Sequence, residues 1–112
     1  MVTGLREQLD AYGAAAHLVT VGAGGRPHVV SVVVEADGEL LRTTAGRTSA
    51  ANAAANPTVT LVWAAPPGEA YTLLVDGRAE PVDEQLLVVP TRAVRHRVVT
   101  APGDGPSCIT IL

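Results

Sequence analysis

At 112 residues, with 47% hydrophobic side chains and a mean hydropathy of +0.27, the chain is sized for one well-buried globular domain rather than a disordered segment. A formal net charge of −3 gives no basic field for nucleic acid, and 3% aromatics with no Phe give no platform for stacking bases. A single cysteine, Cys108, excludes an internal disulfide or a cysteine metal cluster. No apolar run reaches the length of a membrane span and no signal-peptide pattern is present, so a cytoplasmic protein without a membrane partner is expected.

The core must then come from Val, Leu and Ala, a composition that favours strands. Residues 3–12 predict a short helix with Leu5, Leu9 and Tyr12 on one side, lying as a lid over a sheet. Strand patterns begin at Ala16, and His17–Val21 leads into Gly22-Ala23-Gly24-Gly25. This glycine run lies between two β-patterned stretches and opens no helix, so it reads as a hairpin and not a nucleotide loop. Pro27 to Glu35 is apolar on both faces apart from His28 and Ser31, which predicts a strand covered on both sides. Asp37-Gly38 turns the chain into an antiparallel return ending at Thr43-Thr44.

A short alanine-rich helix follows, ended by Asn56-Pro57, because the residue before proline is driven to extended backbone. Thr58 to Ala64 alternates, with Val59, Leu61 and Trp63 on one face. Tyr71 to Val82 is a long strand in which Gly77 reads as a bulge rather than a tight turn. Gln85 to Val89 is another strand, and Pro90-Thr91-Arg92 opens a segment holding Arg95, His96 and Arg97, the one basic cluster, read as a turn or short helix. Ser107 to Leu112 is a last strand. About seven antiparallel strands with one helix inserted between the third and fourth predict a mainly β barrel or sandwich.

The start of the inserted helix carries Arg47, Thr48 and Ser49. Two readings fit. Thr48 or Ser49 caps the helix and Arg47 is solvated surface. Alternatively, the unpaired N–H groups, the positive dipole end, the guanidinium and the hydroxyls hold a phosphate-sized anion.

The run Leu18–Val21, Gly25-Arg26-Pro27-His28, the strand through Ser31, Thr43-Thr44, Arg47 to Asn52 and Asn56 to Leu61 resembles the pyridoxamine 5′-phosphate oxidase-like family of FMN-binding split barrels. The resemblance covers roughly residues 12–80 and rests on order and spacing rather than one diagnostic motif. It implies an antiparallel split β-barrel of six to seven strands and a homodimer with a cofactor groove at the interface. The cofactor it implies is FMN or, in actinobacterial branches, coenzyme F420; some members bind haem or other tetrapyrroles. By this resemblance Thr43, Thr44, Arg47, Thr48 and Ser49 meet the ring and phosphate. Many members have a lysine three residues before the helix asparagine, where this chain has Ser49 before Asn52. The C-terminal arginine-and-histidine segment of true pyridoxamine phosphate oxidases is missing, so vitamin B6 oxidation is not the expected activity.

Hydride transfer by such a cofactor requires no protein nucleophile. That agrees with the absence of a nucleophile elbow and with three histidines whose spacing suggests no zinc site. The expected function is a flavin- or deazaflavin-dependent oxidoreductase acting on a small molecule, and the alternative is a dimeric carrier of a flavin, deazaflavin or tetrapyrrole without turnover. Ser31 is placed either near the ligand or in the core, and Trp63 either beside the groove or in the core. His28, Arg95, His96 and Arg97 are read as substrate or second-subunit contacts.

Overall fold

The computed structural model describes residues 3–112. Helix α1 (Thr3–Tyr12) precedes strands β1 (Ala15–Val21), β2 (Pro27–Asp37) and β3 (Leu40–Thr44). Helix α2 (Arg47–Ala55) follows, and then β4 (Thr58–Trp63), β5 (Thr72–Val82), β6 (Gln85–His96) and β7 (Cys108–Thr110). All pairings are antiparallel, in the order β3-β2-β1-β4-β5-β6-β7, and β3 also pairs with β6. Six strands therefore close a barrel, and β7 is an extra strand paired with the C-terminal end of β6, from Val94 to His96.

The barrel is filled by the inward residues of each alternation. Leu18, Leu41, Val59, Leu61, Trp63, Leu73, Val75, Leu86 and Val88 are essentially inaccessible. Leu5 of α1 is buried with them, and Leu9 and Tyr12 pack against the same core, so the helix is the expected lid. Burying a Leu or Val side chain is worth about 1.5–3 kcal/mol, and these residues carry the stability of a chain with few aromatics.

Two sequence expectations are corrected. Strand β2 is not covered on both sides. Its inner face (Val30, Val32, Val34) is half-buried or buried, while Val29 and Val33 on the outer face are 57% and 65% exposed. Composition could not distinguish a buried face from an apolar outer one. The basic cluster is neither a turn nor a helix, because β6 runs unbroken through Pro90 to His96. Proline is tolerated there because the register shifts between Asp76 and Gly77, leaving Thr91 as the extra residue of a bulge where no ladder N–H is needed. The irregularity expected at Gly77 is present as a register shift, but the extra residue lies opposite it on β6 and not on the glycine's own strand. A Cβ on Gly77 would come within 2.5 Å of Val88 Cγ1 and 2.7 Å of the Val89 carbonyl oxygen.

Arg95 of β6 and Arg97, one residue beyond it, hold the barrel end together. Arg95 pairs with Glu69 at 2.7 Å and stacks over Tyr71, its centre 4.8 Å from the ring centroid. Arg97 lies over the same ring and donates from Nε to the Tyr71 hydroxyl at 3.1 Å. The Tyr12 hydroxyl donates to the Tyr71 carbonyl at 2.6 Å, which ties α1 to this clamp. The Tyr71 N–H, and after it the Arg95 guanidinium, hold the Glu69 carboxyl below its ordinary value.

Two stability measurements test these contacts. Gly77→Ala is expected to destabilise the fold by about 1–3 kcal/mol, read as a lower thermal midpoint, because the added methyl meets backbone that cannot move aside. A carboxyl with a lowered folded-state pKa stabilises above its unfolded-state value, and that contribution is lost as pH falls through the lowered one. Glu69→Gln should therefore lose less thermal stability on acidification through the carboxylate range than wild type, in parallel melts.

Candidate functional site

The split in the barrel follows from where β3 stops. Strand β2 pairs with β3 only over Val34 to Asp37, whereas residues 27–33 pair with β1 alone. After Thr44 the chain leaves the sheet and enters α2 through Gly46. The edge of β2 from Val33 back to His28 is thus without a neighbouring strand. Between that edge and the start of α2 lies a groove of about 720 Å³. At the strand rise it extends about 17 Å along the five residue steps from His28 to Val33.

Thr43 marks the upper end. Its hydroxyl is buried and donates to the Val33 carbonyl at 2.9 Å, so it closes the split rather than facing into it. Because backbone groups alternate along a strand, the Val33 carbonyl facing β3 puts the N–H and C=O of Ser31 and Val29 on the open edge. The walls are Ala15, Val30, Val32 and Val33, and His28 stands at the far end.

The opposite wall is the first turn of α2. The N-cap residue is Gly46, in extended conformation with φ −71° and ψ 171°, and no side chain caps the helix. The reading of Thr48 or Ser49 as the cap is therefore corrected: both lie inside the helix, Thr48 exposed and Ser49 buried against the sheet. The N–H of Ala50 is bonded to the Gly46 carbonyl at 2.9 Å, and the N–H groups of Arg47, Thr48 and Ser49 ahead of it have no intrahelical acceptor. Among the described residues, no carboxylate lies in the first turn or lines the groove. An uncapped helix start next to a guanidinium that has no acidic partner among the described residues makes that end of the groove electropositive.

Helix α2 has nine residues and a weakly amphipathic alanine sequence, so its placement depends on docking. Asn52 provides it. Its amide donates to the Thr20 hydroxyl at 3.1 Å, and Thr20 is fully buried on β1. The Asn52 oxygen lies over Gly22, where a Cβ would approach to 2.9 Å. Ala53, one residue on, is buried against the sheet.

Of the residues singled out from sequence, Ser31, Thr44, Arg47, Thr48 and Ser49 meet at one groove, joined by His28. Thr43 and Trp63 do not line it. Trp63 is inaccessible, and its indole N–H donates to the Gly13 carbonyl at 3.0 Å under α1, the core placement. Arg95 and Arg97 belong to the Tyr71 clamp, and His96 is on β6 away from the groove lining. Sequence reasoning missed Gly46 as the cap and the β2 valines as groove wall. The glycine directly before Arg47 was the available signal, since glycine is an accepted N-cap.

The sequence pattern of the family described as pyridoxamine 5′-phosphate oxidase matches residues 6–106. The chain belongs to the pyridoxamine 5′-phosphate oxidase family. Among solved structures, an F420 reductase shares 25% identity over 71% of this chain and 88% of its own, with a TM-score of 0.61. A Clostridium acetobutylicum protein related to general stress protein 26 of B. subtilis, of the pyridoxinephosphate oxidase family, shares 14% identity over 95% and 90% of the two chains, with a TM-score of 0.65. HutZ, the haem storage protein of Vibrio cholerae, shares 16% identity over 80% and 89%, with a TM-score of 0.61. The last two likenesses speak to the split-barrel fold alone. No curated protein matches the chain.

The Asn52 contact is open to test. Asn52→Ala leaves the buried Thr20 hydroxyl without its partner, and should cost about 1–3 kcal/mol in denaturant unfolding. Because the helix start is aimed by this contact, anion affinity at the groove should fall with it.

Proposed function

We propose that this family member is a cytoplasmic oxidoreductase that binds FMN or coenzyme F420 in the groove between α2 and β2. The observation that carries the reading is the uncapped start of α2, opening with Arg47 and Thr48 onto a long apolar groove with no carboxylate. The 25% identity to an F420 reductase supports the deazaflavin end of that choice.

The residues present fit such a group. The N–H groups of the first turn, that of Ser49 included, the Arg47 fork and the exposed hydroxyl of Thr48 would hold a phosphate through charge-assisted bonds. Arg47 takes over the charge that many family members supply from a lysine at the position of Ser49. Thr44 and the free backbone groups of Ser31 offer donors and acceptors to a flat heterocycle, and Val30, Val32 and Val33 give it an apolar wall that excludes water. The bound cofactor would supply hydride chemistry, and the protein would position and desolvate it. The outward Val29 and Val33 beside the groove are covered, in this reading, by a second copy of the chain, which completes the site as a homodimer.

A second reading is a carrier without turnover. It is favoured by His28, an imidazole at one end of an apolar groove, which suits a tetrapyrrole iron as well as a flavin.

The test is a titration of purified protein with FMN, F420 and haemin, followed by absorbance. Binding of FMN or F420 is expected, with Arg47→Ala weakening it at least about tenfold, the size of one lost charge-assisted contact. Affinity that Arg47→Ala leaves untouched sinks the phosphate assignment. A haem absorption band with no response to either flavin-type cofactor replaces the oxidoreductase by the carrier.

A further inference from the structure

We propose that a second cavity, between the C-terminal end of α1 and the sheet, is a binding site for a small organic ammonium ion with an apolar body. This cavity shares no lining residue with the groove between α2 and β2, so the site is independent of the cofactor reading.

The cavity holds about 270 Å³. That is just under the roughly 300–1,000 Å³ of pockets that take drug-sized ligands, which limits the occupant to a small molecule. One wall is the end of α1 and the link into β1, with Leu9, Asp10, Gly13 and Ala14. The facing wall is sheet. Val34 and Ala36 are alternate residues of β2 and share a face, and Leu41 of β3 is the register partner of Ala36. Trp63 of β4 bounds the cavity at its base. The walls are tied together at two points. The Val34 N–H donates to the Ala14 carbonyl at 2.8 Å, and the Trp63 indole N–H donates to the Gly13 carbonyl at 3.0 Å. Gly13 has a φ of +85°, the left-handed conformation that ends helices, and its N–H closes the last turn on the Leu9 carbonyl at 3.0 Å. The cavity is therefore held open by the fold before any ligand arrives.

The two walls differ in chemistry. Val34, Ala36 and Leu41 make the sheet side aliphatic. On the helix side, the carbonyls of Asp10, Ala11 and Tyr12 lie beyond the last intrahelical bond, where the negative end of the helix dipole falls. No basic residue stands in the last turn of α1 to offset it. Asp10 is the one ionisable residue of the lining, exposed and in no hydrogen bond or ion pair among the described residues. Arg6, the basic residue of the same helix, lies one turn back and outside the lining.

This arrangement selects by charge. An anion would meet the carboxylate and the helix end as like charges. A neutral apolar molecule would cover the aliphatic wall and leave the acceptors without a counter-charge. An ammonium has three N–H donors and no acceptor, so it suits a carboxylate beside unpaired carbonyls, while its hydrocarbon part lies on Val34, Ala36 and Leu41.

The experiment titrates the purified full chain with 2-phenylethylammonium, using 2-phenylethanol as the uncharged comparison and ammonium chloride as the charge without the body. Trp63 is the single tryptophan of the chain, so its indole N–H gives one resonance in a nitrogen–proton correlation spectrum. The probe is expected to shift this resonance and the amides of Gly13, Val34 and Ala36 saturably, with a Kd below about 1 mM. The amides of Ser31 and Arg47 at the groove should stay in place. Both comparison compounds should bind at least about tenfold more weakly. Asp10→Asn removes an exposed charge that holds no contact in the fold, and should weaken the probe at least about threefold with an unchanged melting temperature. Ala36→Leu puts a larger side chain in the cavity and should abolish the saturable shifts while the groove amides keep their positions. An indole resonance that the probe does not move, equal affinity for 2-phenylethanol, affinity untouched by Asp10→Asn, or shifts centred on Ser31 and Arg47 would each overturn the proposal.

Discussion

The amide of Asn52 donating to the buried hydroxyl of Thr20, over a glycine that leaves room for it, is the contact on which the site depends. Nine residues of mostly alanine do not make a stable helix in water, and α2 offers little apolar surface to dock with. Its buried face is small: Ser49 and Ala53 lie on the sheet, and Asn52 ties that face to β1. Small residues let the helix approach closely, and the polar tie fixes its rotation. A rotated α2 would aim its free N–H groups at solvent rather than into the split. The geometry that could hold an anion is thus set about one turn away from the anion site, by a pair with no charge.

The split has an equally local cause. Strand β3 is only five residues long against the eleven of the β2 strand it pairs with, so β2 outlasts its neighbour. The Thr43 hydroxyl takes the first carbonyl that β3 would otherwise have satisfied. Beyond it the backbone groups of Ser31 and Val29 remain on an open edge. An unpaired strand edge is ordinarily a liability, prone to pairing with other chains. Here α2 stands opposite the edge and turns it into one wall of a groove, with α2 as the other.

The far end of the barrel is built on the opposite principle. Arginines that read in the sequence as an exposed cluster are drawn onto one tyrosine ring and one carboxylate, joining α1, the loop before β5 and the segment before β7. Their charge is consumed in stacking and pairing. The guanidinium of Arg47, lining the groove beside an uncapped helix start, enters no such pairing among the described residues.

Much of this was written in local patterns. The alternation of Val59, Leu61 and Trp63, the glycine turns and the Asn56-Pro57 stop determined strands, hairpins and the inserted helix, because each is a short-range steric or periodic effect. The meeting of Ser31, Thr44 and Arg47 to Ser49 was also foreshadowed by their order along a familiar barrel. What the sequence could not decide was where each side chain faces once the barrel closes. Two adjacent threonines divide, Thr43 into the seal and Thr44 onto the groove. The valines of β2 divide likewise between core and open surface, and the cap falls to Gly46 instead of a hydroxyl residue. These outcomes depend on which strand ends first and how the helix rotates on the sheet, and both are settled by contacts between residues far apart in the chain.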